Sequence, residues 1–118
     1  MTPADFRRIA LSLPDACEAS HMAHPDFRVG GRIFATLGYP SNRFGVVMLS
    51  PRDQDLMIRD HPAIFARVKG SWGAAGATTV LLLQARKRQV SIALEVAWRK
   101  RAPKRLIARL TRENERAV

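Results

Sequence analysis

Cys17, His21 and His24 are the first residues whose types and spacing suggest chemistry, because thiolates and imidazoles are common zinc ligands. They lie four and three residues apart, but the segment around them shows no helical pattern that would bring them together. A nucleophilic Cys17 would also need a base with an orienting group, and no third residue stands out for that task. The neighbouring carboxylates sit beside turns and caps, where such residues are ordinary. We therefore predict no metal site, no catalytic site and no bound cofactor.

A glycine-rich stretch at residues 69–76 could be taken for a phosphate-binding loop. Such a loop needs the order Gly-Lys-Ser or Gly-Lys-Thr between a strand and a helix. This chain instead has Lys69 before Gly70 and Ser71, and a strand pattern follows. We interpret the stretch as a turn that positions Trp72, either as an apolar lid on a sheet or as a platform for stacking bases.

Basic side chains on and beside the predicted hairpins are the remaining candidates. Arg28, Arg32 and Arg43 lie on or next to strand patterns, and Lys69 borders the tryptophan loop. Arginine suits bidentate contact with phosphate, so these residues and Trp72 form the predicted nucleic-acid site, with sequence-independent, salt-sensitive binding. The alternative is that the arginines shield the edges of a sheet.

The charge of the chain is unevenly distributed. The 118 residues carry a formal charge of +10, with +2 on residues 1–83 and +8 on residues 84–118. Such asymmetry suggests nucleic acid or an acidic membrane surface as a partner, although a well-solvated helical surface would look the same. A hydrophobic fraction of 47% argues against a disordered basic tail, and no apolar run is long enough to span a bilayer, so we expect a folded cytoplasmic protein that does not enter membranes.

Cap motifs and periodicity predict four helices. Thr2-Pro3 with Asp5, and Ser50-Pro51 with Asp53, each place a capping hydroxyl, a proline and an acid at the start of a helix. The first helix ends at about residue 14 and the second near residue 61. A third helix begins at about residue 87, with an apolar stripe at residues 90, 93, 94, 97 and 98. Residues 102–103 break it, a fourth helix starts at residue 104, and residues 111–118 are expected to fray.

Four strand patterns lie between these helices. Residues 27–29 and 32–37 flank Gly30-Gly31, a pair typical of a hairpin turn, and residues 43–49 and 77–83 follow. In the second strand, alternation predicts Ile33, Ala35 and Leu37 on one face and Phe34 on the other. Because the connections are as short as hairpins, we predict an α+β fold with two layers, helices on one face of an antiparallel sheet, in a single domain over residues 1–118.

Several stretches resemble the MmcQ/YjbR-like family and together cover nearly the whole chain. They are residues 24–35 (HPDFRVGGRIFA), Ser50-Pro51 with Gln54, residues 61–65 (HPAIF), residues 70–78 (GSWGAAGAT), Ala97-Trp98 and residues 102–106 (APKRL). The resemblance implies a two-layer α+β fold whose hairpins are described as a double wing, and a DNA-binding role that has been proposed from that shape. At position 32 the chain has arginine where the family pattern leads us to expect lysine.

The sequence therefore predicts a protein without enzymatic activity that binds DNA through its basic hairpins and helices. The alternative is an adaptor that binds a protein or a small ligand in a groove near the Trp72 loop. The two predictions share Trp72 but differ in the salt dependence of binding.

Overall fold

The computed structural model describes residues 1–117, and Val118 lies outside this range. Five helices pack with a six-stranded antiparallel sheet in the order β1-β2-β3-β4-β6-β5, so the predicted α+β fold is confirmed. In chain order the elements are α1 (Pro3–Ser12), β1 (Cys17–His21), β2 (His24–Val29), β3 (Arg32–Leu37), β4 (Phe44–Met48), α2 (Pro51–Asp60), β5 (Phe65–Arg67), α3 (Gly70–Ala74), β6 (Ala77–Leu81), α4 (Lys87–Arg101) and α5 (Lys104–Arg116).

The predicted helix starts are confirmed. The Thr2 hydroxyl accepts a hydrogen bond from the Asp5 backbone N–H, and the Asp5 carboxylate accepts one from the Thr2 backbone N–H. The Ser50 hydroxyl caps α2 in the same way by accepting from the Asp53 N–H at 3.1 Å. These contacts satisfy donors that a helix N-terminus otherwise leaves free. The break between α4 and α5 also falls at residues 102–103, as predicted.

The two faces of the sheet are chemically different. Residues paired across neighbouring strands point to the same face, so Phe27, Ala35 and Val47 form a row on the face that α1 and α4 cover. This row and the apolar stripe of α4 belong to the main core. The adjacent row begins with Asp26 and Thr36 and lies on the opposite face. A smaller apolar cluster on that face contains Val46, Met48, Val68 and Ala77.

A β-bulge in β3 corrects the predicted alternation. Phe27 pairs with Ala35 and Arg28 pairs with Ile33, so Phe34 is an extra residue on β3. The bulge turns Phe34 into the main core, where it is fully buried, and leaves Ile33 half-buried on the opposite face. The prediction for these two residues was wrong because alternation assumes an uninterrupted ladder.

Close packing fixes α1 and α4 against the sheet. Gly45 of β4 leaves room for the ring of Phe6, since a Cβ on Gly45 would lie 2.7 Å from a ring carbon. Trp98, on the apolar stripe of α4, is buried and donates from its indole Nε1 to the carbonyl oxygen of Pro14 at 2.9 Å. The Phe6 ring therefore interlocks α1 with the sheet, and the Trp98 hydrogen bond ties α4 to the segment that follows α1.

Three elements lie where the sequence predicts turns or irregular chain. β1 is a sheet-edge strand with mostly exposed residues, and it therefore lacks the alternation that marks a strand. β5 has only three residues, and α3 forms a short helix inside the glycine-rich stretch. Helix α5 continues to Arg116, into the segment expected to fray. Within residues 1–117, no helix is both long and apolar enough to cross a membrane.

Candidate functional site

A wide concave surface lies on the face of the sheet opposite α1 and α4. It has a volume of about 660 Å³, and we call it the main groove. It is lined by His21, Met22, His24, Asp26, Arg28, Gly31, Arg32, Ile33, Thr36, Tyr39, Met48, Trp72 and Arg101. Its three arginines and one aspartate give a net charge of +2 with neutral histidines. The main groove thus combines positive charge with an aromatic and apolar lining.

Arg28 is held in the main groove by an ion pair within its own strand. Its guanidinium donates two hydrogen bonds to Asp26, from Nε at 2.8 Å and from an Nη at 3.0 Å. The Asp26 side chain is 1% exposed, so Arg28 is its charge partner in a site closed to solvent. These hydrogen bonds, with the attraction between the charges, raise the pKa of Arg28. Part of the charge of Arg28 is thereby neutralised within the protein.

Arg32 and Arg101 supply the unneutralised positive charge of the main groove, since neither forms an ion pair among the described residues. Arg32 begins β3 and is exposed at the hairpin, whereas Arg101 is the last residue of α4. The Nε of Arg101 is buried and has no hydrogen-bond partner within residues 1–117. Beside it, Lys100 donates to the carbonyl oxygen of Leu49 at 2.9 Å. Burial, and next the charge of Arg101, lower the pKa of Lys100.

An aromatic pair forms one wall of the main groove. Tyr39 and Trp72 meet edge to face with their ring centroids 5.4 Å apart. Both side chains remain more than a third exposed, so each ring keeps part of its surface available to a ligand.

The fully buried Gln54 of α2 anchors the short helix α3, which carries Trp72. The Gln54 amide donates to the carbonyl oxygen of Gly73, directly after Trp72, at 3.0 Å.

A strained turn lies at the rim of the main groove. Met22 and Ala23 join β1 to β2 with φ values of 50° and 67°, a conformation that costs residues with a Cβ about 1–2 kcal/mol each. Hairpins with this geometry usually carry Asn-Gly or Gly-Gly at these positions. Met22 is also 81% exposed, which is unusual for a large apolar side chain. An apolar side chain is thus presented to solvent beside the groove at a cost in backbone energy.

The structure brings together three of the five residues predicted to bind nucleic acid. Arg28, Arg32 and Trp72 line the main groove, whereas Arg43 and Lys69 are exposed outside it. Arg43 precedes β4, and β4 begins beside the end of β3, so Arg43 and Arg32 lie at opposite ends of these strands. The pairing of β3 with β4, rather than the sequence alone, separates them.

Four residues of the site were missed by sequence reasoning. Asp26 and Gln54 were noted only within the family resemblance, Tyr39 had no predicted role, and Arg101 was assigned only to a basic helix. The sequence did hold a signal for Arg101, because this residue stands directly before the predicted helix break at residues 102–103. The last residue of a helix lies where the chain changes direction, so it can contact elements that the rest of the helix does not reach. The sequence holds no comparable signal that Asp26 would be buried.

Two of the three histidines and the cysteine lie on the strands at the main groove without forming a ligand cluster. His21 and His24 line the main groove, and Cys17 is an exposed free thiol on β1. In the part of the chain that the structure describes, no three His, Cys, Asp or Glu side chains lie close enough to hold a metal ion. The groove therefore offers positive and aromatic groups as its distinctive chemistry.

Comparison with known proteins identifies the family. A sequence model of the YjbR family matches residues 11–100, which include nearly all of the main groove. The chain belongs to the YjbR family. The family is not a known class of enzyme.

A solved structure supports the fold of this YjbR-family chain. The crystal structure of the Deinococcus radiodurans protein DR2400, with a DUF419 domain, matches with a TM-score of 0.67 and 18% sequence identity. The match covers 82% of this chain and 75% of that one, and at this identity it supports the fold alone. No curated protein is significantly similar in sequence.

Proposed function

We propose that this YjbR-family protein binds DNA in the main groove, without catalysis, and that it takes an unpaired stretch of the strand. Phosphates contact Arg32 and Arg101, and a base packs against Trp72. Binding is independent of sequence, because backbone phosphates and the flat face of any base supply the contacts.

One observation carries this proposal: Arg32, Arg101 and Trp72 come from three separate parts of the chain and line the same groove. Proteins that bind single strands combine a positive groove with aromatic side chains on which bases stack. A base inside a duplex cannot offer its face to Trp72, so the aromatic wall favours an unpaired base. Arg28 supports the site by neutralising Asp26, which would otherwise repel phosphate.

A small anionic ligand is a second candidate, and the shape of the groove favours it. A volume of about 660 Å³ falls in the range of ligand pockets, roughly 300–1,000 Å³. An aromatic compound with a phosphate or carboxylate group would satisfy the same residues. A mononucleotide that competes with an oligonucleotide at equal molar affinity would favour this candidate over DNA.

The test is the salt dependence of oligonucleotide binding, measured by fluorescence anisotropy with a labelled oligothymidylate of about 12 nucleotides. Wild-type protein should bind at about 50 mM salt and weaken as salt rises. Arg32→Gln and Arg101→Gln should each reduce the slope of log K against log salt by about 0.7. Trp72→Ala should weaken binding by roughly 5- to 150-fold with little change in slope, because stacking contributes about 1–3 kcal/mol per base.

Arg43→Gln provides a matched control, since it removes the same charge from an exposed arginine outside the main groove. Its slope should stay close to that of the wild type. Absence of binding at about 50 mM salt would refute the proposal. Equal losses in Arg43→Gln and Arg32→Gln would mean that net charge, and not the groove, attracts the DNA.

A further inference from the structure

A second basic groove lies on the other side of the hairpin tip. It has a volume of about 420 Å³, and we call it the α5 groove. It is lined by Asp15, Gly30, Pro103, Arg105, Leu106, Arg109 and Arg112. The proposed function uses none of these residues, although the C-terminal third of the chain carries most of the net charge.

The three arginines of the α5 groove form one row. Arg105, Arg109 and Arg112 are spaced four and three residues apart, which places them on one side of α5 at intervals of about 4.5–6 Å along its axis. All three are exposed. An acidic neighbour, Asp15, lies 3.7 Å from an Nη of Arg109, but both side chains are more than half exposed. Such an exposed pair is weak, so the row keeps its positive character.

The two grooves meet at the tip of the β2–β3 hairpin. Gly31 lines the main groove and Gly30, its neighbour, lines the α5 groove. Pro103, two residues after Arg101, packs against Gly30 so closely that a Cβ there would lie 2.7 Å from the proline ring. Pro103 fills the space beside Gly30, whereas the space beside Gly31 is open. A flexible polyanion can therefore cross from one groove to the other on the Gly31 side of the hairpin tip, close to the backbone.

We propose that the α5 groove is a second phosphate-binding site, in which Arg105, Arg109 and Arg112 hold the continuation of the DNA strand bound in the main groove. This inference rests on the proposed function. A single strand fits this path because it can bend around the hairpin tip, whereas a duplex of this length is stiff. The α5 groove has no aromatic side chain, so it contacts the backbone and contributes charge without stacking.

Oligonucleotides of two lengths test this path. A strand of about 4 nucleotides is long enough for the main groove alone, and one of about 16 nucleotides can occupy both grooves. The test variant combines Arg105→Gln, Arg109→Gln and Arg112→Gln. A control variant with the same loss of charge combines Arg52→Gln, Arg59→Gln and Arg88→Gln, all exposed and outside both grooves. Glutamine is a good helix former, so α5 should persist, which thermal melting checks.

The α5 variant should bind the long strand on the order of 100-fold more weakly at about 100 mM salt, with a slope lower by about 2, while binding the short strand nearly as the wild type does. The control variant should lose only a few-fold for either strand. Replacing the same three α5 arginines by lysine should restore the slope, which separates charge from any loss of folding.

The binding results distinguish a failure of the α5 groove from a failure of the proposed function. If the short strand binds but the two triple variants weaken the long strand equally, the α5 groove is refuted and the proposed function stands. If the wild type binds the long strand no more tightly than the short one, the α5 groove is refuted as well. If neither strand binds the wild type, both proposals fall.

Discussion

Gln54→Glu is the sharpest test of how this fold holds its aromatic wall. Gln54 is fully buried, and its amide nitrogen lies within 3.0–3.2 Å of the carbonyl oxygens of Gly73 and Ala77 and the hydroxyl of Thr78. The substitution keeps the size of the side chain but replaces the donating nitrogen with an oxygen. No salt bridge among residues 1–117 involves the residues around this site, so a carboxylate there would face two carbonyl oxygens without compensation.

The size of the destabilisation in Gln54→Glu follows from the linkage between proton binding and folding. Burial among acceptors raises the pKa of the introduced carboxyl above its unfolded value of about 4.3. For an acid with a raised folded pKa, stability is fully present below the unfolded pKa and is lost as pH rises toward the folded pKa. The loss is about 1.4 kcal/mol per pH unit, so a carboxyl that stays protonated in the folded state costs about 3–4 kcal/mol between about pH 4 and pH 7.

Urea denaturation at about pH 4 and pH 7 measures this difference against the wild type at the same pH. Gln54→Met is the control, because it fills the same space without a titrating group. Its loss should be about 1–3 kcal/mol and independent of pH, because it removes the three hydrogen bonds of the amide nitrogen. Removal of Oε1, which has no partner within residues 1–117, offsets part of this loss. A Gln54→Glu variant whose loss is the same at both pH values would refute this reasoning. A shift in tryptophan emission should accompany the loss, since Trp72 adjoins Gly73.

Three further predictions concern the hairpins and the first helix. Gly30→Ala should lower the free energy of unfolding by about 1–3 kcal/mol more than Gly31→Ala, because only its Cβ meets Pro103; equal losses by urea denaturation would contradict this contact. Ala23→Gly should raise the stability by about 1 kcal/mol in the same assay by relieving a positive φ, and a destabilised variant would argue against the strained turn. The backbone N–H at the start of α1 lowers the pKa of Asp5, so its stabilisation should be lost as pH falls below about 4. Between neutral and acid pH, the melting temperature of Asp5→Asn should fall less than that of the wild type. The same fall in both proteins would show that the Asp5 cap does not cause this pH dependence.

Much of the fold was predictable because the signals act over a few residues. The caps at Thr2 and Ser50 and the apolar stripe of α4 each depend on neighbours within a turn or two of the chain. The strand patterns were also sufficient for an antiparallel sheet, since short connections leave little choice of direction. The edge strand β1 was not predicted, because an exposed polar strand lacks the alternation of apolar and polar residues that marks a half-buried strand. Only its pairing with β2 defines it.

The sequence by itself determined that this is an α+β chain with basic C-terminal helices and a resemblance to the YjbR family, which the family match confirms. Only the tertiary structure decided which basic residues belong together. The bulge at Phe34 reassigns the faces of β3, and strand pairing separates Arg43 from Arg32. The packing of Pro103 on Gly30 places the C-terminal helices beside the hairpin, so that Arg101 lines the main groove with Arg32. Contacts between residues about seventy positions apart depend on how the chain closes on itself, which no local pattern encodes.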